Sequence, residues 1–468
     1  MSEQLIPRPE YPRPQFVRQP WINLNGTWSY VFDWGKSGMQ RGYPSSEGFA
    51  DQISVPFCPE SRLSGVAHRD FIETMWYQRQ IRVPSDWAGK RILLHFGGVD
   101  FESEAFIDGA SVGRHWGGTA SFYYDVTAHV TPGETHNLVV YVRDETRSGV
   151  QPGGKQCPDY ASRRCHYTRT TGIWQTVWME AVSPYGLQDV QIVPDLDGKR
   201  LIVLPRFFAT RRGLRLRATL LAEGEVVSQV DAAAVDGVPL ALPIEAPRPW
   251  SPADPFLYDL RFEVIGGASE TPLDMVESYA GLRKIHVEGD RVYLNNEPIY
   301  LRLVLDQGFY PDGIWTAPSD AALRQDIELS MQAGFNGARL HQKVFEERFH
   351  YWADRLGYLT WGESSSWGID LTDEVSARNF LGEWREIVVR DRNHPSIVAW
   401  TPFNETRDVG DERQHNRLHV DAYRLTHDID PTRPVNDASG YVHVMTDLWT
   451  VHTYVQDPDL LREQLAGE

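Results

Sequence analysis

The apolar pattern changes period once along this chain, near residue 284, and that single change limits the folds open to it. Before it, apolar residues recur every second position. In "DFESEAFIDGASVGRH", Phe101, Ser103, Ala105 and Ile107 face one way and Glu102 and Glu104 the other, and Asp108-Gly109 supplies a tight hairpin turn. "HNLVVYVRDE" puts Leu138, Val140 and Val142 on one strand face. Helical periodicity is almost absent from residues 1–183, which predicts a β-sandwich or jelly roll. Residues 184–283 continue in short strands: Leu214, Leu216, Ala218 and Leu220 oppose Arg215, Arg217 and Thr219. About 100 residues of this kind predict an immunoglobulin-like sandwich, with "APRPWSPADP" as a turn inside it rather than a linker.

From 284 to 468 strand and helix alternate. "IYLRLVL" (299–305) is expected as a first, buried strand, and "FNGARL", "YLTWGE", "IVAWTPFNE", "RPVNDAS" and "LWTVHTY" as the second to sixth. Between them lie helices. One has Leu323, Ile327 and Met331 at i, i+4, i+8, with Ser319 or Asp320 as cap and Gly334 as stop. Another has Phe345, Phe349, Ala353 and Leu356 on one stripe, ended by Gly357. A third is expected near 373–389, and a fourth aligns Leu418, Ala422, Leu425 and Ile429. Such alternation predicts a parallel sheet with helices outside, as a (β/α)8 TIM barrel or an open doubly wound sheet. No glycine-rich phosphate loop follows a strand, which counts against a nucleotide-binding version.

Net charge is −18, against nucleic acid and against anionic membranes as partners. No apolar run approaches the length of a transmembrane span, and "MSEQLIPRPEYPRPQ" lacks the pattern of a signal peptide. Three cysteines make no disulfide framework, and Cys157, Cys165 and His166 fit no zinc spacing, so no metal is expected and the cytoplasm is the simplest compartment. The 16 Trp lean towards carbohydrate.

In a barrel of this kind chemistry gathers at the C-terminal strand ends. There the sequence sets Asp306 and Gln307, then Arg339 and His341, Trp361 and Glu363, Asn404 and Glu405, Asn436 and Asp437, and finally His452 and Tyr454. Glu405 is the leading catalytic candidate. A carboxyl near a low-dielectric mouth, beside Trp400 and an amide, can keep its proton near neutral pH and protonate a leaving-group oxygen. Asn404 can donate to a sugar hydroxyl.

"WTPFNE" resembles the acid/base motif of glycoside hydrolase family 2, the β-galactosidases, β-glucuronidases and β-mannosidases. "NLNGTWSY", "VPFCPES", "MWYQRQIRVP" and "YTRTTGIWQTVWME" look like that family's sugar-binding jelly roll, and "YLNNEPIYLRL" like its approach to the barrel. The resemblance implies Glu405 as general acid/base and Asn404 as substrate ligand. It also implies Arg339 as the strand-two arginine that orients the nucleophile, and Tyr454 as a strand-six tyrosine near it. Asp306, His341, Trp361, Glu363 and His452 are further candidate substrate contacts. "LDQGFYPDG" and "RLHQKVF" depart from the family's usual loops, which bears on the sugar. The implied function is a retaining exo-β-glycosidase, on β-galactosides first and β-glucuronides next, with no cofactor. The alternative is a non-catalytic carbohydrate-binding protein. Family members are often oligomers, so a homo-oligomer stays open.

Retaining glycosidases need two carboxyls about 5–5.5 Å apart. The family places its nucleophile at strand seven, and no "EFG" or "EYG" follows Tyr454. The expectation is that the nucleophile is not in this chain, whose 185 or so barrel residues fall short of the usual ~250. A fragment of a longer enzyme, a naturally shortened relative, or an in-chain substitute such as Glu363 would each account for it.

Overall fold

The computed structural model describes residues 6–267, 270–407 and 412–466. The first sandwich packs a six-stranded antiparallel sheet on a four-stranded one. The larger runs in the order 51–55, 26–32, 74–82, 135–143, 102–107, 110–116, the smaller 21–23, 177–182, 91–96, 122–125. Leu138, Val140 and Val142 enter the core between the sheets with Trp28, Tyr77 and Met179. The opposite face is also covered, because Val139 packs with Trp76 and Phe106. The hairpin at Asp108-Gly109 has both residues at positive φ, 49° and 85°, the two-residue turn that matches strand twist.

The second sandwich sets the sheet 187–195, 200–207, 240–243 against 225–233, 214–222, 258–266, 272–280. Leu214, Leu216, Ala218 and Leu220 are buried, while Arg215 and Arg217 on the outer face pair with Asp231 and Glu270. In the Pro-rich turn, Trp250 is fully buried and its indole donates to the Asp354 carbonyl, 2.7 Å away in the next domain.

The barrel segment begins with β1 (Leu303–Asp306), α1 (Asp320–Gln332), β2 (Gly337–Leu340), α2 (Glu347–Leu356), β3 (Leu359–Glu363), α3 (Glu374–Asp391) and β4 (Ile397–Thr401). These four strands form one parallel sheet in chain order. The two-residue β5 (Phe403–Asn404) follows, then α4 (Glu412–Ile429), β6 (Ala438–Ser439), parallel to β5, and α5 (Pro458–Ala466). Ser319 caps α1 through the Ala322 N–H, and Gly357 ends α2 at φ 74°. Leu418 and Ala422 bury one stripe of α4 against Phe380, Trp384 and Phe403.

Several expectations are corrected. The first strand is shorter than 299–305 and not buried: Tyr300 is 78% and Leu305 48% exposed, because β1 pairs only with β2 among the described strands. Met331, third on the α1 stripe, is exposed. The sixth strand, "LWTVHTY", is not a strand. Its approach is built from side chains instead. The Asp437 carboxylate accepts from the Val444 and Met445 N–H groups, and Thr450 Oγ1 accepts from Gly440 N–H and Asn436 Nδ2. Backbone donors satisfied this way have no call for a ladder partner.

An N-terminal arm ties the domains together. Arg8 forks onto Glu346 at 2.6 and 3.0 Å, Gln15 donates to the Asn393 carbonyl, and Val17 bridges to Glu277. Arg18, nearly buried, grips Asp274 with two bonds and Glu180 with a third.

Candidate active site

Glu405 follows directly on β5, where its N–H donates to the Ser439 carbonyl at 2.9 Å. Its φ is 50°, a left-handed conformation unusual for a residue other than glycine. Strain of this kind is kept only where the surroundings hold it, and here they turn the side chain out of the ladder into the mouth. Glu405 Oε1 lies 2.7 Å from His452 Nδ1 and 3.3 Å from the Tyr454 hydroxyl. His452 Nε2 meets Ser439 Oγ at 3.0 Å, which fixes the ring. The charge of Glu405 is the first cause that pushes the Tyr454 phenol up. The His452 and Tyr454 contacts both fall on Oε1, and the Glu405 side chain keeps 15% of its surface exposed. Trp400, expected beside Glu405, points the other way: its indole bonds Asp430 and packs edge-on against Trp384 in the core. Arg407 lies over the Tyr441 ring rather than on Glu405.

A second cluster supports the neighbouring amide. Arg339 Nη2 donates to Asn404 Oδ1 at 2.5 Å, and Arg339 Nε donates to Glu363 Oε2 at 2.6 Å. The other Glu363 oxygen meets His341 Nδ1 and the Gln342 N–H, both at 3.0 Å. Burial alone would raise the Glu363 carboxyl, but the Arg339 charge and the His341 bond outweigh it and hold it at about 2. Asn404 Nδ2 is buried with no acceptor among the described residues. With its oxygen taken by Arg339, this amide has only N–H groups left to offer.

The remaining candidates separate. Glu363, expected to touch substrate, has no exposed side-chain surface and acts on Arg339. Trp361 lies two residues before it on the same strand face, and its indole donates to Thr401 Oγ1 at 2.6 Å. Asp306 is turned onto its own loop by the Gly308 N–H, and burial raises its carboxyl. Its side chain takes no part in either cluster, and only its carbonyl accepts from the His341 N–H at 2.7 Å. Asp437 is held at about 2 despite burial, by bonds from His419, Val444 and His443, and serves the 443–450 segment. Among the described residues no group of three or more His, Cys, Asp or Glu could hold a metal ion, and no helix is long and apolar enough to cross a membrane.

Three residues at the mouth escaped the sequence reading. Trp367 donates its indole N–H to the Asn404 carbonyl at 3.1 Å, and Gln342 Oε1 accepts from the Trp367 backbone N–H at 2.8 Å. Lys155, from the first sandwich, sits with Nζ 3.7 Å from the Trp367 ring centroid. Its loop is pinned by Gly153 and Gly154 N–H groups on the Trp367 carbonyl. Gly154, at φ 56°, allows that approach: a Cβ there would stand 2.3 Å from the Gln342 carbonyl oxygen. The available signal was the Trp of "GESSSWG", four residues after Glu363. For Lys155 no local signal exists.

Two β-sandwiches ahead of a β/α barrel, with one carboxyl, an amide and aromatic groups at its strand ends, define a multidomain barrel protein with its candidate chemistry at the barrel mouth. Three family models then match in order: the "Glycosyl hydrolases family 2, sugar binding domain" over 63–153, "Glycosyl hydrolases family 2" over 187–283, and the "Glycosyl hydrolases family 2, TIM barrel domain" over 285–466. The chain belongs to glycosyl hydrolase family 2. It is 26% identical to a β-galactosidase of Thermoanaerobacter pseudethanolicus over 92% of its own length and 57% of that protein. It is 25% identical to a β-glucuronidase of Paenibacillus borealis over 88% of its length and 72% of that protein. Its fold matches a β-glucuronidase from Ruminococcus gnavus in complex with D-glucaro 1,5-lactone, with TM-score 0.79 at 23% identity, covering 91% of this chain and 73% of that one. The chain thus spans a little over half of the first of these relatives.

Proposed function

We propose that this chain carries the acid/base side of a retaining exo-β-glycosidase. The observation that carries the reading is the Glu405 carboxyl, held at Oε1 by His452 and Tyr454 and partly exposed, one residue from an amide locked by Arg339. In the first step Oε2 gives its proton to the glycosidic oxygen as that bond breaks. In the second Glu405 takes a proton from the water that hydrolyses the glycosyl ester. Asn404 Nδ2 donates to a sugar hydroxyl throughout. Glu363 is a poor nucleophile, since both of its oxygens are bonded and its charge is spent on Arg339 and His341. The reading therefore draws the nucleophilic carboxylate from outside the described residues. Relatives named for β-galactosides and β-glucuronides support those sugars, galactosides first.

The test is hydrolysis of nitrophenyl β-galactoside, β-glucuronide, β-mannoside and β-glucoside by this chain and by Glu405→Gln, with sugar binding measured alongside. No turnover with saturable binding of one sugar is expected. Turnover that Glu405→Gln lowers by about 10²–10⁴-fold would establish Glu405 but refute the outside nucleophile. Absence of sugar binding in both proteins would sink the reading.

A further inference from the structure

The chain has a net charge of −18, yet its loop at the barrel mouth is basic: between residues 155 and 169, Lys155, Arg163, Arg164 and Arg169 face Asp159 alone. Arg163 pairs with that aspartate, and Arg169 donates to the Cys157, Asp159 and Arg69 carbonyls, which fixes the loop. Lys155 differs from the molecule's other buried cations. It is 4% exposed, but among the described residues no carboxylate lies within ion-pair distance of its ammonium and no oxygen accepts a hydrogen bond from it. Arg8 and Arg18 have carboxylates, and Lys343 has the Gly308 and Trp315 carbonyls. What is buried in Lys155 is its stem, while the ammonium is not among the side-chain nitrogens closed off from solvent and so stays within reach of a ligand. The unpaired charge stands one residue from the machinery, since the Trp367 ring beneath it bonds the Asn404 carbonyl.

We propose that Lys155 is a specificity-determining residue that binds an anionic group, a carboxylate or a sulfate ester, on the sugar presented to Glu405. The proposal rests on the glycosidase reading above and narrows its substrate to acidic glycosides. The ammonium keeps three N–H donors for anionic oxygens, while Trp367 holds it in place in the absence of ligand.

The experiment titrates this chain, by calorimetry and tryptophan fluorescence, with D-galactose, D-glucuronate and galactose 6-sulfate. A preference for one acid over galactose is expected, and the acid preferred identifies carboxylate or sulfate. Lys155→Met should reduce that preference about tenfold or more, and Lys155→Arg should keep most of it. Should Lys155→Met melt early, the salt dependence of the unsubstituted chain decides: acid binding must weaken with added NaCl while galactose binding does not. No acid preference, or one that survives Lys155→Met or added salt, overturns the proposal and leaves the glycosidase reading standing. Failure to bind any of the three sugars overturns both.

Discussion

The same three side chains, Arg, Glu and His, are assembled twice in this molecule. Arg18, Glu180 and His95 meet where the two sandwiches join, and Arg339, Glu363 and His341 meet at the barrel mouth. Both glutamates are held at about 2 against burial, Glu180 by Arg18 and His95, Glu363 by Arg339 and His341. They differ in what the arginine does with its remaining donors. Arg18 spends them on Asp274 and the Leu187 carbonyl, so its cluster is closed. Arg339 turns one to Asn404, whose amide nitrogen has no partner among the described residues. One cluster seals a joint, and the other holds a donor ready. The chemistry of an ion pair does not decide which; the neighbour at its open end does.

Removal of the joint should have the largest effect. Arg18→Met strands two buried carboxylates, and a loss of about 3–5 kcal/mol is expected in urea unfolding. A loss below 1 kcal/mol would mean that the joint is not stabilised by this arginine.

Acid should act on both clusters alike. Each glutamate binds a proton less readily folded than unfolded, so the unfolded chain holds more protons as pH falls. Their contribution is complete above the ordinary glutamate range, near 4.5, and is lost as pH drops towards 2. Each shift amounts to about 3 kcal/mol. Stability followed from pH 6 to 2.5 should fall less steeply in Glu180→Gln and in Glu363→Gln. An unchanged acid limb in either variant would separate that cluster from its counterpart.

The mouth should tolerate substitution better. Arg339 is 15% exposed at its side chain, against 2% for Arg18, so water can partly replace it. Arg339→Met is expected to cost about 1–3 kcal/mol of stability and to weaken sugar binding about tenfold. Equal stability losses for the two arginine variants would erase the distinction drawn between them.

The sandwiches were legible because a two-residue period reports a half-buried strand directly, as at 214–220. The helices were legible from their stripes and stops, as at Phe349, Ala353 and Gly357. Glu405 and Asn404 stood out because a strand ended on them. The 448–454 segment was misread because "LWTVHTY" carries strand propensity while the stretch leading into it is organised by Asp437 and Thr450, which propensity does not register. Lys155 was missed because its contact with Trp367 spans 212 residues, and no local pattern encodes an approach made across two domains.

The N-terminal arm has a consequence for how the molecule is made. Arg8 grips Glu346, and Gln15 grips Asn393. Domains fold largely in order as they leave the ribosome, so Arg8 and Gln15 wait for partners translated more than 300 positions later. This arm is therefore among the last parts to settle, and its docking marks the moment when all three domains have come together.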